Sequence, residues 1–231
     1  MRFRIPLALA APAAACLLTI GSSSAPARAM RSVCGYPGYS YAGFQAPAAA
    51  YGVAGRVIAL ASPAVRSGHV AAWIGVGGSG MGPGSTDEWI QVGIAGHLDG
   101  SQELYYEYAQ PGTAEAVFVS LGAVAVGEAH DVALAEPAAQ PNVWRVWLDR
   151  RRVGPPIVLP GSHGAWLPIA TAETWDGGIR GCNRYSYSFS KLAVATKPGG
   201  GWRPFPLTRP LRDPGFAVST RASGFSARTL P

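Results

Sequence analysis

Charged residues are scarce in this chain of 231 residues: they make up 14% of it, and only two of the 19 basic residues are lysine. A coiled coil is excluded by so low a charge content, and an intrinsically disordered chain is excluded by 48% apolar residues. Helical periodicity is also missing from every stretch of about 12 residues. With 30 glycines and 20 prolines, both of which destabilise helix interiors, a mostly helical fold is not expected.

Familiar catalytic and cofactor motifs are lacking as well. The sequence has no G-x-S-x-G, and its four histidines are far apart, with no H-x-x-x-H pair. Gly75, Gly77 and Gly80 satisfy G-x-G-x-x-G, but Met-Gly-Pro-Gly follows where a dinucleotide site needs a helix to begin. We therefore expect no cofactor and no metal.

The net charge of +6 does not come from the middle of the chain. Residues 1–29 carry +3 and residues 196–231 carry +5, whereas residues 30–195 carry −2. The part of the chain that holds the candidate site is therefore slightly acidic. This removes the main reason to expect a nucleic-acid partner.

Residues 1–29 have the pattern of a secretory signal peptide. Arg2 and Arg4 precede an apolar stretch over residues 5–20, and Ala27-Arg28-Ala29 forms an A-x-A cleavage site. We expect the protein to be secreted as a monomer. The mature chain has no run of about 18 apolar residues, so we expect it to have no membrane span.

Cleavage of such a leader would remove Cys16 and leave two cysteines, Cys34 and Cys182. In an exported chain, two cysteines most simply form one disulfide. Metal binding by two cysteines alone is disfavoured, because no histidine or further cysteine lies at ligand spacing. We predict a Cys34–Cys182 disulfide that ties the start of the mature chain to a late strand.

Short β-like runs follow one another at intervals of about 10–15 residues, separated by Gly, Pro, Asn or Asp, which is typical of an antiparallel sandwich or barrel. We predict an all-β sandwich domain over residues 30–195. Residues 196–231 are rich in Pro, Gly and Arg, and we predict a C-terminal extension there. The predicted strands are Gly55–Ala61, Val70–Val76, Glu88–Ala95, Gln102–Tyr108, Ala116–Leu121, His130–Glu136, Val143–Leu148, Ile157–Leu159, Leu167–Trp175 and Arg184–Ala195.

Strand alternation brings a polar side chain and aromatic side chains to one face in three of these strands. Ile90, Val92 and Ile94 form the packed face of their strand, so Gln91 lies on the opposite, more open face with Trp89. By the same alternation Glu107 shares a face with Tyr105, and Glu173 shares one with Trp175. An amide and two carboxyls flanked by aromatics would suit a concave cleft that binds a polymer.

Four short blocks in this region resemble the eqolisins, the glutamic peptidases, in their order and spacing. The blocks are WIGVGG (73–78), WIQVGI (89–94), YYEYAQP (105–111) and TAETW (171–175). The similarity covers roughly residues 41–195. It implies a sandwich of two curved antiparallel sheets, of the concanavalin-like or jelly-roll type.

The resemblance implies a catalytic glutamine at Gln91 and a catalytic glutamate at Glu173. It also implies a cleft lined by further residues that contact the substrate, which are Trp73, Trp89, Tyr105, Glu107 and Trp175. Val92 and Gly77 depart from the family pattern, because a threonine and an acidic residue are usual at these positions. Both departures remove polar neighbours of the predicted pair, and Thr174 is inserted into the A-E-W block.

The chemistry of such a pair is peptide hydrolysis. A glutamate acts as general base on a water and then as general acid toward the leaving amine. The glutamine amide donates a hydrogen bond to the developing oxyanion. A carboxyl in a partly dry cleft holds its proton more tightly than one in water, so we expect an endopeptidase that acts on polypeptides at acidic pH.

A second hypothesis is a non-catalytic or carbohydrate-binding module that uses the same aromatic cleft to stack sugar rings of a polysaccharide. A glycosidase would need two carboxyls about 5–9.5 Å apart, and Glu107 with Glu173 is the pair that could supply them. The distance between the side-chain ends of Gln91 and Glu173 separates these hypotheses, because a pair that shares one water in a solvent-reached cleft should lie within about 6 Å. Opposite faces of the sandwich would exclude the peptidase.

Overall fold

Fifteen strands make up the part of the chain that the computed structural model describes, which is residue 34 and residues 38–113, 115–177 and 182–231. They form two antiparallel sheets packed face to face. The strands are β1 (Tyr39–Gln45), β2 (Gly52–Ala59), β3 (His69–Gly78), β4 (Glu88–Gly96), β5 (Gln102–Ala109), β6 (Val117–Ala123), β7 (Ala129–Ala135), β8 (Val143–Leu148), β9 (Arg151–Val158), β10 (Ile169–Trp175), β11 (Ser186–Lys197), β12 (Gly200–Pro204), β13 (Arg209–Arg212), β14 (Phe216–Arg221) and β15 (Gly224–Thr229). The predicted all-β sandwich is confirmed.

The sheet that we call the front sheet has the order β13-β1-β10-β3-β4-β5-β6, and the back sheet has the order β14-β15-β11-β2-β7-β8-β9, with β12 paired to β11. Neighbours in the front sheet come from distant parts of the sequence, as where β10 lies between β1 and β3. This crossing of the chain brings the TAETW block beside the WIGVGG block.

The hydrophobic core lies between the two sheets and follows the alternation of each strand. Ile90, Val92 and Ile94 point inward and are fully buried, as their strand pattern predicts. Trp144 is the largest side chain from the back sheet in this core, and its indole nitrogen donates to Ser162 Oγ at 2.8 Å. Because the inner faces are packed, polar residues of the front sheet lie on its outer face.

The composition of residues 196–231 predicts a C-terminal extension, but in the structure these residues add strands to both sheets. β13 pairs with β1 at one edge of the front sheet, and β15 pairs with β11 in the back sheet. Phe216 and Phe225 belong to the buried core. These residues therefore complete the sandwich, and β13 brings Leu211 to the rim of the front-sheet cleft described below.

Cys34 and Cys182 are joined by a disulfide, with their Cα atoms 5.6 Å apart, as predicted. The predicted signal peptide, residues 1–29, lies outside the described residues. Within the described part of the chain, no helix has the length and apolar character needed to cross a membrane.

Candidate active site

A cleft of about 780 Å³ lies on the outer face of the front sheet. Five of the seven residues predicted as catalytic or substrate-binding line it, and they come from four different strands. These residues are Trp73, Trp89, Gln91, Glu107 and Glu173. The front sheet therefore gathers residues 100 positions apart in sequence onto one concave surface.

Gln91 and Glu173 face this cleft from strands that are separated by β3. Glu173 lies opposite Ala71 on β3, whereas Gln91 lies opposite Gly75, four positions further along the same strand. On a flat sheet, ideal strand spacing and rise would put their Cα atoms roughly 16 Å apart. The two side chains line the same cleft. Because their strands are separated, both can contact a molecule that is bound between them.

The Gln91 side chain is held in place by two neighbours on β5. Its Nε2 donates to the Tyr105 hydroxyl at 3.0 Å and to Glu107 Oε2 at 3.1 Å. Glu107 lies directly opposite Gln91 in the strand register. While both partners accept from Nε2, the Gln91 amide is held in one orientation.

Tyr105 was predicted to contact the substrate, but the structure places it below the cleft surface, where 1% of it is exposed. Phe118 on β6 stacks on its ring with the centroids 4.9 Å apart. Tyr105 also packs with Trp73, Ala71 and Ala95 in a small apolar cluster on this face of the sheet. Its role in the structure is to hold Gln91 from beneath.

Trp73 lies on β3 between the positions of Glu173 and Gln91. Its ring leans over Gly75, where an added Cβ would lie 3.0 Å from Trp73 Cζ3 and 3.1 Å from Gln91 Cβ. The glycine therefore leaves the space that the indole occupies. Trp73 Nε1 is buried and has no hydrogen-bond acceptor among the described residues. The nitrogen is turned away from the cleft surface, so Trp73 presents its ring to the cleft.

Glu173 is 3% exposed, and Tyr41 lies opposite it in the register of β1 and β10. His69 Nε2 lies 3.6 Å from Glu173 Oε1, and its ring is stacked on that of Trp175. Trp175 is 41% exposed and is not among the residues that line the cleft. It contacts the ring of His69, so its contact with the site is indirect.

The carboxyl of Glu107 holds its proton unusually tightly. Burial raises the pKa of Glu107 most, and the nearby charge of Glu173 raises it further, while His69 and the hydrogen bond from Gln91 act in the opposite direction. Burial also raises the pKa of Tyr39 at the cleft rim to about 12, with Glu173 adding to the shift. At acidic pH the cleft thus contains a protonated Glu107 and neutral tyrosines.

The two departures from the family pattern have different structural consequences. Val92 is fully buried in the core between the sheets, so its side chain lies on the face opposite the cleft. Gly77 lines the cleft with φ of 87°, and a Cβ there would collide with the backbone carbonyl of Glu88. The loss of a polar side chain at position 92 therefore does not change the cleft surface, whereas at position 77 the cleft lacks the acidic side chain that the family pattern has there.

Sequence reasoning missed several residues of this site, namely His69, Tyr39, Tyr41 and Phe118. Tyr39 and Tyr41 lie on β1, which was not among the predicted strands, and both line the cleft. His69 is the first residue of β3, and its parity with Trp73 was the signal that could have placed it on this face. Among the described residues, no group of three His, Cys, Asp or Glu side chains is arranged to hold a metal ion.

The sequence matches no protein-family model and no curated protein. Solved structures do match. One is scytalido-glutamic peptidase with a transition state analog inhibitor, with a TM-score of 0.53 and 12% identity over 83% of this chain and 98% of that one. Another is SCP-B, a member of the eqolisin family of peptidases in a complex with the tripeptide Ala-Ile-His, with a TM-score of 0.51 and 11% identity over 84% of this chain and 98% of that one.

At such low identities this likeness establishes a common fold. It extends over nearly the whole length of both peptidases. The sandwich expected from the eqolisin resemblance is therefore confirmed. The activity of this chain has to be argued from its own residues.

Proposed function

We propose that this chain is a secreted endopeptidase that hydrolyses polypeptides at acidic pH with Glu173 and Gln91. The observation that carries the proposal is the fixed presentation of Gln91 by Tyr105 and Glu107, in the cleft that Glu173 also lines. A merely solvated polar residue on a sheet face would not need one buried and one half-buried partner. The fold shared with two peptidases supports the same conclusion.

Glu173 is the group that moves protons in this scheme. As a carboxylate it removes a proton from a water between the two strands, and this water attacks the peptide carbonyl carbon. It then returns the proton to the amine that leaves. His69, at 3.6 Å, stabilises the Glu173 carboxylate when its imidazole is protonated. A peptide that fills the cleft displaces other water from the reacting groups.

Gln91 stabilises the oxyanion in this scheme. Whether the NH2 group or the oxygen of the Gln91 amide faces the cleft depends on the protonation of Glu107. While Glu107 is a carboxylate it can only accept, so both hydrogens of Gln91 Nε2 are taken by Glu107 and Tyr105. Protonated Glu107 can donate instead. The amide can then turn by half a rotation, so that its oxygen accepts from both partners and its NH2 group faces the cleft as an oxyanion donor.

Trp73 would bind the polypeptide beside the reacting bond. Its ring lines the cleft beside Gln91 and offers apolar surface to a bound chain. The exposed part of Tyr39 and the ring of Trp89 offer apolar surface along the same cleft. Apolar surface along an open cleft fits unfolded or extended substrates.

The Glu173→Gln variant tests the proposal directly. Cleavage of an unfolded protein and of a fluorogenic peptide is measured between pH 2 and pH 5, and we expect kcat/KM to fall by about 10²–10⁴-fold. Glu103→Gln is the matched control, because Glu103 lies on the same face of β5 but outside the cleft. If the Glu173 variant cleaves as fast as the unchanged protein, the assignment is wrong.

In the carbohydrate-binding hypothesis the ligand occupies the same cleft. A different pair of variants distinguishes this hypothesis from the peptidase. Sugar binding by stacking would be lost in Trp73→Ala and unaffected in Gln91→Ala, and no peptide would be cleaved.

Export is a further part of the proposal, and the Cys34–Cys182 disulfide supports it because such bonds persist in oxidising compartments. Mass spectrometry of the exported protein should show cleavage after Ala29.

A further inference from the structure

The outer face of the back sheet carries a second concavity, of about 610 Å³, which we call the trough. Its floor includes the small side chains of Ala54, Ala133 and Ala135, and the strand register continues this row beyond the trough to Ala193. Ala133 on β7 lies opposite Ala54 on β2, and Ala54 lies opposite Ala193 on β11. Because alanines leave the sheet backbone close to solvent, this face has room that larger side chains would fill.

Two exposed tryptophans stand at opposite ends of this floor. Trp147 on β8 lies opposite Ala133, and Trp202 on β12 lies opposite Ala195. They are 37% and 43% exposed, and both line the trough. Four strand spacings separate β8 from β12, or roughly 19 Å. Two flat apolar surfaces at this separation can contact two units of a linear polymer that lie several positions apart along it.

The rim of the trough is positively charged. Arg145, Arg150 and Lys191 line it, and none of them has a carboxylate at ion-pair distance among the described residues. The two acidic residues of the trough are engaged elsewhere: Asp131 binds Arg56 at 2.7 Å and 2.9 Å. Glu136 is fully buried and accepts from the Asn142 backbone amide at 2.6 Å. The cations therefore remain available to an anionic ligand.

We propose that the trough binds an acidic polysaccharide, a linear glycan whose sugars carry carboxylate groups. Its sugar faces would pack on Trp147 and Trp202, and its carboxylates would bind the three cations, with the Arg145 guanidinium suited to a bidentate contact. An alanine floor allows the glycan backbone to lie flat between the two rings. The trough is on the sheet face opposite the cleft, so it would hold the protein on such a polymer without blocking the cleft.

A nucleic acid fits this surface less well. Single-stranded binding uses a continuous track of cations along the phosphates and a row of stacking rings, one for each successive base. Here the two rings are several strands apart, and the carboxylate of Asp131 lies among the cations. The hydrogen bond from Arg56 lowers the pKa of Asp131 most, and the charges of Lys191 and Arg150 lower it further. Widely spaced rings and three cations match a glycan with one charge on each of several bulky units.

Calorimetric titration of the full chain with a galacturonate oligomer tests the proposal. The methyl-esterified form of the same oligomer is the uncharged control, and an oligothymidylate of similar length is the nucleic-acid control. We expect binding of the free acid that weakens as NaCl is added, since salt screens exposed charges. We expect the methyl ester to bind at least about tenfold more weakly, because it lacks the charges that the arginines contact.

Three variants locate the site. Trp147→Ala and Trp202→Ala should each weaken binding about fivefold to tenfold, and Trp73→Ala in the cleft should leave it unchanged. Both trough tryptophans are exposed, so these variants should keep the fold and the peptidase activity. The proposal is overturned if the free acid does not bind at low salt, if the trough variants bind it normally, if Trp73→Ala alone abolishes binding, or if the oligothymidylate binds more tightly.

Discussion

The two outer faces of the sandwich are built by the same alternation of side chains, yet they differ in what they carry. The front face has large side chains, among them Trp73 and Tyr105, with Gln91 and Glu173 nearly buried among them. The back face has alanines at the corresponding central positions, and its polar groups are charged and lie at the rim.

This difference decides what each face can do. Large side chains around buried polar groups exclude water and fix hydrogen bonds, which general acid–base chemistry needs. Small side chains leave an open surface on which a polymer can lie and be held by charge. The front face should therefore be sensitive to the loss of single polar atoms, and the back face should be sensitive to added volume.

The largest expected effect is on the front face. Gln91→Ala removes the oxyanion donor, and we expect kcat to fall about 10²–10³-fold with little change in KM. Steady-state kinetics on a fluorogenic peptide at acidic pH measure this. Gln110→Ala, also at the cleft but without a place in the proposed mechanism, is the control. Equal kcat values for the Gln91 variant and the unchanged protein would show that Gln91 has no part in the chemistry.

The sequence predicts much of the front face. Alternation placed Gln91, Glu107 and Glu173 with aromatics on open strand faces, and the sheet order then brought them into one cleft. The depth of Tyr105 could not be predicted, because alternation gives a side chain its face but not its burial. That burial depends on Phe118 and on small neighbours contributed by other strands.

The C-terminal strands were missed for a different reason. β13 and β14 are the edge strands of the two sheets, and edge strands tolerate proline and charge because one side of their backbone needs no partner. Pro210 on β13 and the arginines around it therefore resemble a surface extension in composition. The same argument applies to β9, the other edge of the back sheet, where Pro155 and Pro156 interrupt the apolar pattern.

The back face should respond to volume. Ala133→Leu puts a branched side chain in the centre of the alanine row between Trp147 and Ala54. We expect galacturonate binding to weaken at least about tenfold, because the added atoms occupy space that the ligand needs. Peptidase activity should be unchanged. Calorimetry and peptide kinetics on the same preparation make the comparison, and Ala138→Leu, outside the trough, is the control.

A smaller effect is expected at Tyr105. Tyr105→Phe keeps the ring that packs on Phe118 and removes only the hydroxyl that contacts Gln91. We expect kcat to fall about threefold to tenfold, which is the scale of one hydrogen bond. Thermal unfolding should show a nearly unchanged midpoint. If kcat is unaffected, Gln91 does not depend on Tyr105 for its orientation, and the front face is less tightly coupled than the hydrogen bonds indicate.

The smallest expected effect is a change in the pH dependence of stability and of kcat when Glu107 is replaced. Burial and the charge of Glu173 raise its pKa above the ordinary value of 4.5, so the folded protein binds a proton there that the unfolded chain has released. The contribution of Glu107 to the free energy of unfolding is therefore most favourable below pH 4.5. It decreases as the pH rises from 4.5 through the raised pKa of the folded state.

Glu107→Gln removes this titration and leaves an NH2 group that can donate to Gln91 at every pH. Relative to the unchanged protein, the variant should gain stability as the pH rises above 4.5. Its kcat should also decline at a higher pH, because Gln91 no longer needs a protonated Glu107 to turn its NH2 group toward the cleft. Urea unfolding and kcat are measured at the same series of pH values. Since a purely structural Glu107 would change stability alone, an unaltered kcat profile beside an altered stability profile would contradict the proposed rotation of the amide.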